Sequence, residues 1–106
     1  MTSSALRERS VEAHLVRSIK AAGGECYKWA SPGARGVPDR LVVLPHGRVI
    51  AVECKAPGKR PTKLQQHALA KLRALGVDAT WVDSIESVDA LVDTLVDALE
   101  IKQAIE

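Results

Sequence analysis

Two short apolar runs flank Pro45-His46-Gly47, and both faces of each run are apolar. Arg40 to Leu44 and Arg48 to Lys55 read as strands joined by a tight turn. Side chains alternate along a strand, so Leu41, Val43, Val49 and Ala51 fall on one face. Val42, Leu44, Ile50 and Val52 fall on the other. A sheet with one wet face would alternate apolar and polar residues. This pattern instead predicts a sheet covered on both sides by helices.

The rest of the chain supplies those helices. Ser3 or Ser4 can cap a first helix that runs to about Ala22 and stops at Gly23-Gly24. Val11, Leu15, Val16, Ile19 and Ala22 fill one arc of it. Cys26 to Ala30 reads as a short strand, and Ser31 to Pro38 as a Pro/Gly loop. After a second loop, Thr62-Lys63-Leu64-Gln65 matches a capping box. The helix it opens is expected to bury Leu64, Ala68, Leu72 and Leu75 and to end at Gly76. Ala79 to Val82 makes a last strand. Ser84 or Ser87 caps a final helix with Val88, Leu91, Val92, Leu95, Val96 and Leu99 on one side. The order α-β-β-β-α-β-α is a mixed α/β, three-layer arrangement. With 106 residues, one domain over 1–106 is expected.

Charge is divided along the chain although the net is only +2. Lys55 to Arg73 holds six basic residues and no carboxylate, whereas Asp83 to Glu100 holds six carboxylates and no base. The first region could face phosphates while the second faces water. Cys26 and Cys54 lack zinc-site spacing and read as reduced thiols in a cytoplasmic setting. The N-terminal stretch lacks a signal peptide's apolar segment, and no run approaches transmembrane length. Aromatic residues total 3%, which argues against a platform stacking successive bases.

The hairpin also groups charged residues. A turn centred on His46 sets Leu44 against Arg48, Val43 against Val49, and Asp39 against Glu53. Opposed residues have Cβ atoms about 4.5–5.5 Å apart on the same side. Lys55 shares the face of Glu53 by alternation. Opposed like charges destabilise a sheet, and partial burial raises a carboxylate's pKa. A divalent cation offsets both. Mg²⁺ takes one or two carboxylates plus waters and substrate phosphate. Asp39 and Glu53 supply the carboxylates, and Lys55 can hold a water or neutralise a phosphoryl group. The grouping points to phosphodiester hydrolysis.

Two further residues are candidates. Glu12 lies inside the apolar arc of the first helix, where an acid is costly without a partner. It is either a further metal ligand or an acid at the edge of the core. Gln65 either completes the capping box or also positions a water or phosphate. His14, His46 and His67 are scattered and read as solvated. Cys54 points away from Glu53 and Lys55 and reads as core filler.

Gly36-Val37-Pro38-Asp39, then Glu53-Cys54-Lys55, then Thr62-x-x-Gln65 with Leu72 and Gly76 resemble the VRR-NUC family of the PD-(D/E)xK nuclease superfamily. The likeness runs from Glu12 to about Val82. It implies a restriction-endonuclease-like core and hydrolysis dependent on Mg²⁺ or Mn²⁺. By that likeness Asp39 and Glu53 bind metal, with the Cys54 carbonyl and Glu12 as further ligands. Lys55 is the catalytic lysine and Gln65 the glutamine after the motif strand. Many members carry an aromatic residue in the next helix, where this chain has Ala68.

Stand-alone phage and bacterial members imply a homodimer acting on branched DNA such as Holliday junctions. Arg35, Lys59, Arg60 and Lys63 would then track phosphates. The alternatives are a catalytically weak or partner-dependent DNA-binding accessory protein, or an α/β protein whose acidic last helix binds a basic partner.

Overall fold

The computed structural model describes residues 3–105, and side chains as far as residue 101. The elements are α1 (Ser4–Ala21), β1 (Glu25–Lys28), β2 (Arg40–Leu44), β3 (Arg48–Cys54), α2 (Lys63–Ala74), β4 (Asp78–Val82) and α3 (Ile85–Ile105). This is the order expected from the sequence. The strands form one sheet in the order β1-β2-β3-β4. The first three are antiparallel neighbours, and β4 runs parallel to β3 across the α2 crossover.

The β2–β3 turn is centred on His46, which takes the left-handed conformation (φ 67°). The register follows: Leu44 pairs with Arg48, Val43 with Val49 and Arg40 with Val52. The exit from α1 is equally tight. A Cβ on Gly24 would sit 2.4 Å from the carbonyl oxygen of Val43, so only glycine lets the helix end against β2.

Val11, Leu15 and Ile19 of α1 and Val88 and Leu95 of α3 bury themselves on one sheet face. They meet Val42, Leu44, Ile50, Val52 and Cys54 there. Each such side chain contributes about 1.5–3 kcal/mol through burial. Asp93, Asp97 and Glu100 are exposed on the far side of α3, as the charge pattern suggested. Both cysteines are buried free thiols.

The second face is covered only in part. Leu69 of α2 packs with Ala51 and Ala79, flanked by Trp29, Leu72 and Trp81. Tyr27 and Val49 remain 56% and 40% exposed. The alternating faces put both on this side, in line with Leu41 and Val43. The expectation of helices covering both faces holds for β3 and β4 and fails over β1 and β2, because one helix spans only part of a four-stranded sheet.

The expected inward face of α2 is also corrected. Leu69 is buried at 2%, whereas Leu64 and Leu75 are 49% and 73% exposed. The apolar residues of this helix spread over a wide arc, and the sheet takes the Leu69 edge of it. His14 is corrected too: its Nε2 lies 2.7 Å from Asp89 Oδ1, tying α1 to α3.

Candidate active site

Continuing the β2–β3 register by one residue sets Asp39 against Glu53. Asp39 is held at both backbone and side chain. Its carbonyl accepts from the Trp29 amide at 2.9 Å, and its Oδ2 accepts from the Cys54 amide at 2.8 Å. The preceding loop is clamped to α2 at Gly36, which has φ +77° and lies where a Cβ would be 2.9 Å from the Leu64 carbonyl oxygen. A side chain there would push away the loop that delivers Asp39.

Glu53 is 2% exposed, and its Oε2 has no hydrogen-bond partner among the described residues. Burial pushes its pKa up to about 8, with the charge and hydrogen bonding of Asp39 adding to the rise and Lys55 opposing it. A buried carboxylate oxygen with no donor costs free energy in the charged form.

Lys55 lies just past the end of β3, where its amide still donates to the Val82 carbonyl at 2.9 Å. Its ammonium donates to Gln65 Oε1 at 3.3 Å and lies 4.0 Å from Glu8 Oε1. Gln65 has a double role. Its Oε1 also accepts from the Thr62 amide at 2.9 Å, completing the capping box of α2. One side chain thus ties the start of α2 to the lysine.

Glu12 is engaged in an ion pair. Its Oε2 accepts from Arg40 Nε at 2.6 Å, and Arg40 also donates to the Cys26 carbonyl at 3.2 Å. The acid in the apolar arc has a partner on β2. Glu8, one turn earlier, is the first-helix acid facing Lys55 and Asp39. Burial raises its pKa, Lys55 lowers it, and Asp39 and Glu12 raise it. Sequence reasoning passed over Glu8 and Arg40. Glu8 was findable, since i and i+4 lie on one helix face. Arg40 carried no signal as a partner 28 residues from Glu12.

Glu8, Lys55, Lys59, Arg60 and Thr62 border an open groove of about 420 Å³. Lys63 is exposed on the first turn of α2. Arg35, within the 31–38 loop, lines a separate cleft with Trp29, Leu64 and Lys71. Cys54 contributes its amide to Asp39, while its side chain is buried among the α1 and α3 contacts. Among the described residues no group of three or more His, Cys, Asp or Glu side chains is arranged to hold a metal. No helix among them is long and apolar enough to cross a membrane.

No family model matches the sequence. A curated protein does: "Putative nuclease p44" of Acyrthosiphon pisum secondary endosymbiont phage 1 is 54% identical over 79 residues, covering 74% of this chain and 85% of that protein. A solved structure described as a VRR_NUC domain superposes with a TM-score of 0.77 at 31% identity, over 82% of this chain and 95% of the other. The fold over most of the chain is thus that of a known domain, and the chain belongs to the VRR-NUC family of nuclease domains.

Proposed function

We propose that the chain, as one domain over 1–106, is a metal-dependent DNA endonuclease that hydrolyses phosphodiester bonds. The observation that carries this reading is the buried, unpartnered Glu53 Oε2 set against Asp39 at the open end of a hairpin. The donor set fits Mg²⁺ or Mn²⁺, which favour carboxylate oxygens and keep waters. Asp39 and Glu53 would hold the ion, with the Cys54 carbonyl as a further oxygen. Two side-chain carboxylates match what Mg²⁺ usually takes from protein. Glu8 is the better placed first-helix acid, and Glu12 serves Arg40. A bound ion supplies Lewis acidity and a more acidic water.

The protein's own groups do the rest. Lys55 neutralises charge on the phosphoryl oxygens as the bond breaks. Gln65 holds the Lys55 ammonium toward the site, and its own position is locked by the cap. Lys59, Arg60, Lys63 and Arg35 bind backbone phosphates, giving salt-sensitive and largely sequence-independent affinity. Branched DNA such as a Holliday junction suits a homodimer with two sites related by a twofold axis. The edge strand β1 and the end of α3, where Ile101 is 62% exposed, fit such a contact. The setting is the cytoplasm of a bacterium or a phage-infected host.

The test is cleavage of branched and linear DNA with Mg²⁺, Mn²⁺ or EDTA, beside Asp39→Ala and Lys55→Ala. Metal-dependent cutting lost in both variants supports the enzyme. Binding without cutting under every condition supports a partner-dependent accessory protein instead.

A further inference from the structure

We infer that the cleft between α2 and the 31–38 loop is a slot for one unstacked nucleobase of the bound strand; naming the strand rests on the nuclease reading above. The cleft holds about 380 Å³, within the range of about 300–1,000 Å³ usual for small-molecule pockets. Trp29, Leu64, Leu72 and Leu75 form its apolar walls, and Arg35 and Lys71 stand at its rim. Among the described residues no carboxylate lines it.

The rotation of α2 creates this surface. Turning Leu69 inward leaves Leu64 and Leu75 in solvent, 49% and 73% exposed, across from an indole ring. An occupant must be flat and apolar in the middle and anionic at its ends. A nucleobase offers a π-face to Trp29 and edges to the leucines, and its flanking phosphates reach Arg35 and Lys71. Aromatic residues are too few for a run of stacked bases, so one base is the natural load.

The cleft also joins the catalytic groups through both of its walls. The loop wall runs through Val37 and Pro38 directly into Asp39. The helix wall carries Leu64 beside Gln65, which holds Lys55. The contact of Gly36 with the Leu64 carbonyl locks the two walls together. A base seated there fixes its strand relative to the carboxylates, and gives a preference for DNA with unpaired or easily opened bases.

The experiment uses Trp81→Phe, which leaves Trp29 as the one remaining tryptophan of two. Its fluorescence is followed in EDTA as a single-stranded oligonucleotide, an abasic strand with the same number of phosphates, or a blunt duplex is added. The base-bearing strand should quench Trp29 and bind about ten-fold more tightly than the abasic strand. Leu75→Ser, at a position 73% exposed, should reduce that affinity toward the abasic level with an unchanged circular dichroism spectrum.

Equal affinity for both strands, or no quenching on binding, overturns the proposal. So does a Trp29 signal that tracks protein concentration without DNA, which would give the cleft to a second copy. Cleavage is not part of the readout. A chain that discriminates bases but cuts nothing keeps the slot and loses the nuclease reading, and one that cuts without discrimination does the reverse.

Discussion

The carboxylate of Asp39 accepts a 2.8 Å hydrogen bond from the backbone amide of Cys54, across the open end of the β2–β3 hairpin. The bond fixes one oxygen of Asp39 and sets the carboxyl group beside Glu53, whose amide neighbour in the chain is the donor. A main-chain donor cannot rotate away, so the fold itself fixes the geometry of the pair. Asp39→Ala should therefore remove cleavage by about 100-fold or more. Its folding cost should be about 1–3 kcal/mol, because the Cys54 amide loses its acceptor. Titration of a divalent cation by calorimetry and urea unfolding would check both.

Glu53 makes the metal-free protein sensitive to pH. Its folded pKa of about 8 lies above the ordinary value of 4.5, so the folded state binds the extra proton between those limits. Stability is then fully present below about pH 4.5 and falls as pH rises toward 8. Unfolding in EDTA should show this slope, and Mg²⁺ should flatten it at pH 8. Glu53→Gln should stabilise the metal-free protein at pH 8 by on the order of 2 kcal/mol and do nothing at pH 4. A slope unchanged in Glu53→Gln would refute the assignment.

Gln65 and Thr62 separate capping from catalysis. Thr62→Ala should cost about 1 kcal/mol through the cap while leaving the Lys55–Gln65 contact. Gln65→Ala should cost a similar amount and also slow cleavage by about ten-fold or more, because the lysine loses its support. Equal rates in the two variants at matched stability would make Gln65 a cap alone. Lys55→Ala should lower the rate by about 100- to 1,000-fold.

Glu8 and Glu12 should part company. Removing Arg40 or Glu12 leaves a half-buried charge alone, and Glu12→Ala should destabilise the fold by about 2–4 kcal/mol. Its metal affinity should stay near that of the wild type, whereas Glu8→Gln should weaken metal affinity and leave the unfolding midpoint almost unchanged. Isothermal titration beside thermal melts distinguishes them, and a loss of affinity in Glu12→Gln alone would return the role to Glu12.

Gly36→Ala should destabilise by about 1–3 kcal/mol, since it combines a positive φ with a clash against backbone. The same change should lower cleavage, as the loop it displaces carries Asp39. Gly33→Ala, with nothing within 4 Å of its Cβ, is the control.

The amino-acid sequence by itself determined the order of elements, the hairpin register and hence the Asp39–Glu53–Lys55 face. Those follow from local rules: the two-residue alternation of a strand, the length of the turn at His46, and the caps at Ser3 and Thr62. Only the tertiary structure decided which edge of α2 meets the sheet, since Leu64, Ala68, Leu69, Leu72 and Leu75 offer an arc wider than one contact face. It also decided that Arg40 takes Glu12 and leaves Glu8 beside Lys55, because that depends on where α1 crosses the sheet. Such choices are settled by packing between distant segments, and helical periodicity carries no record of them.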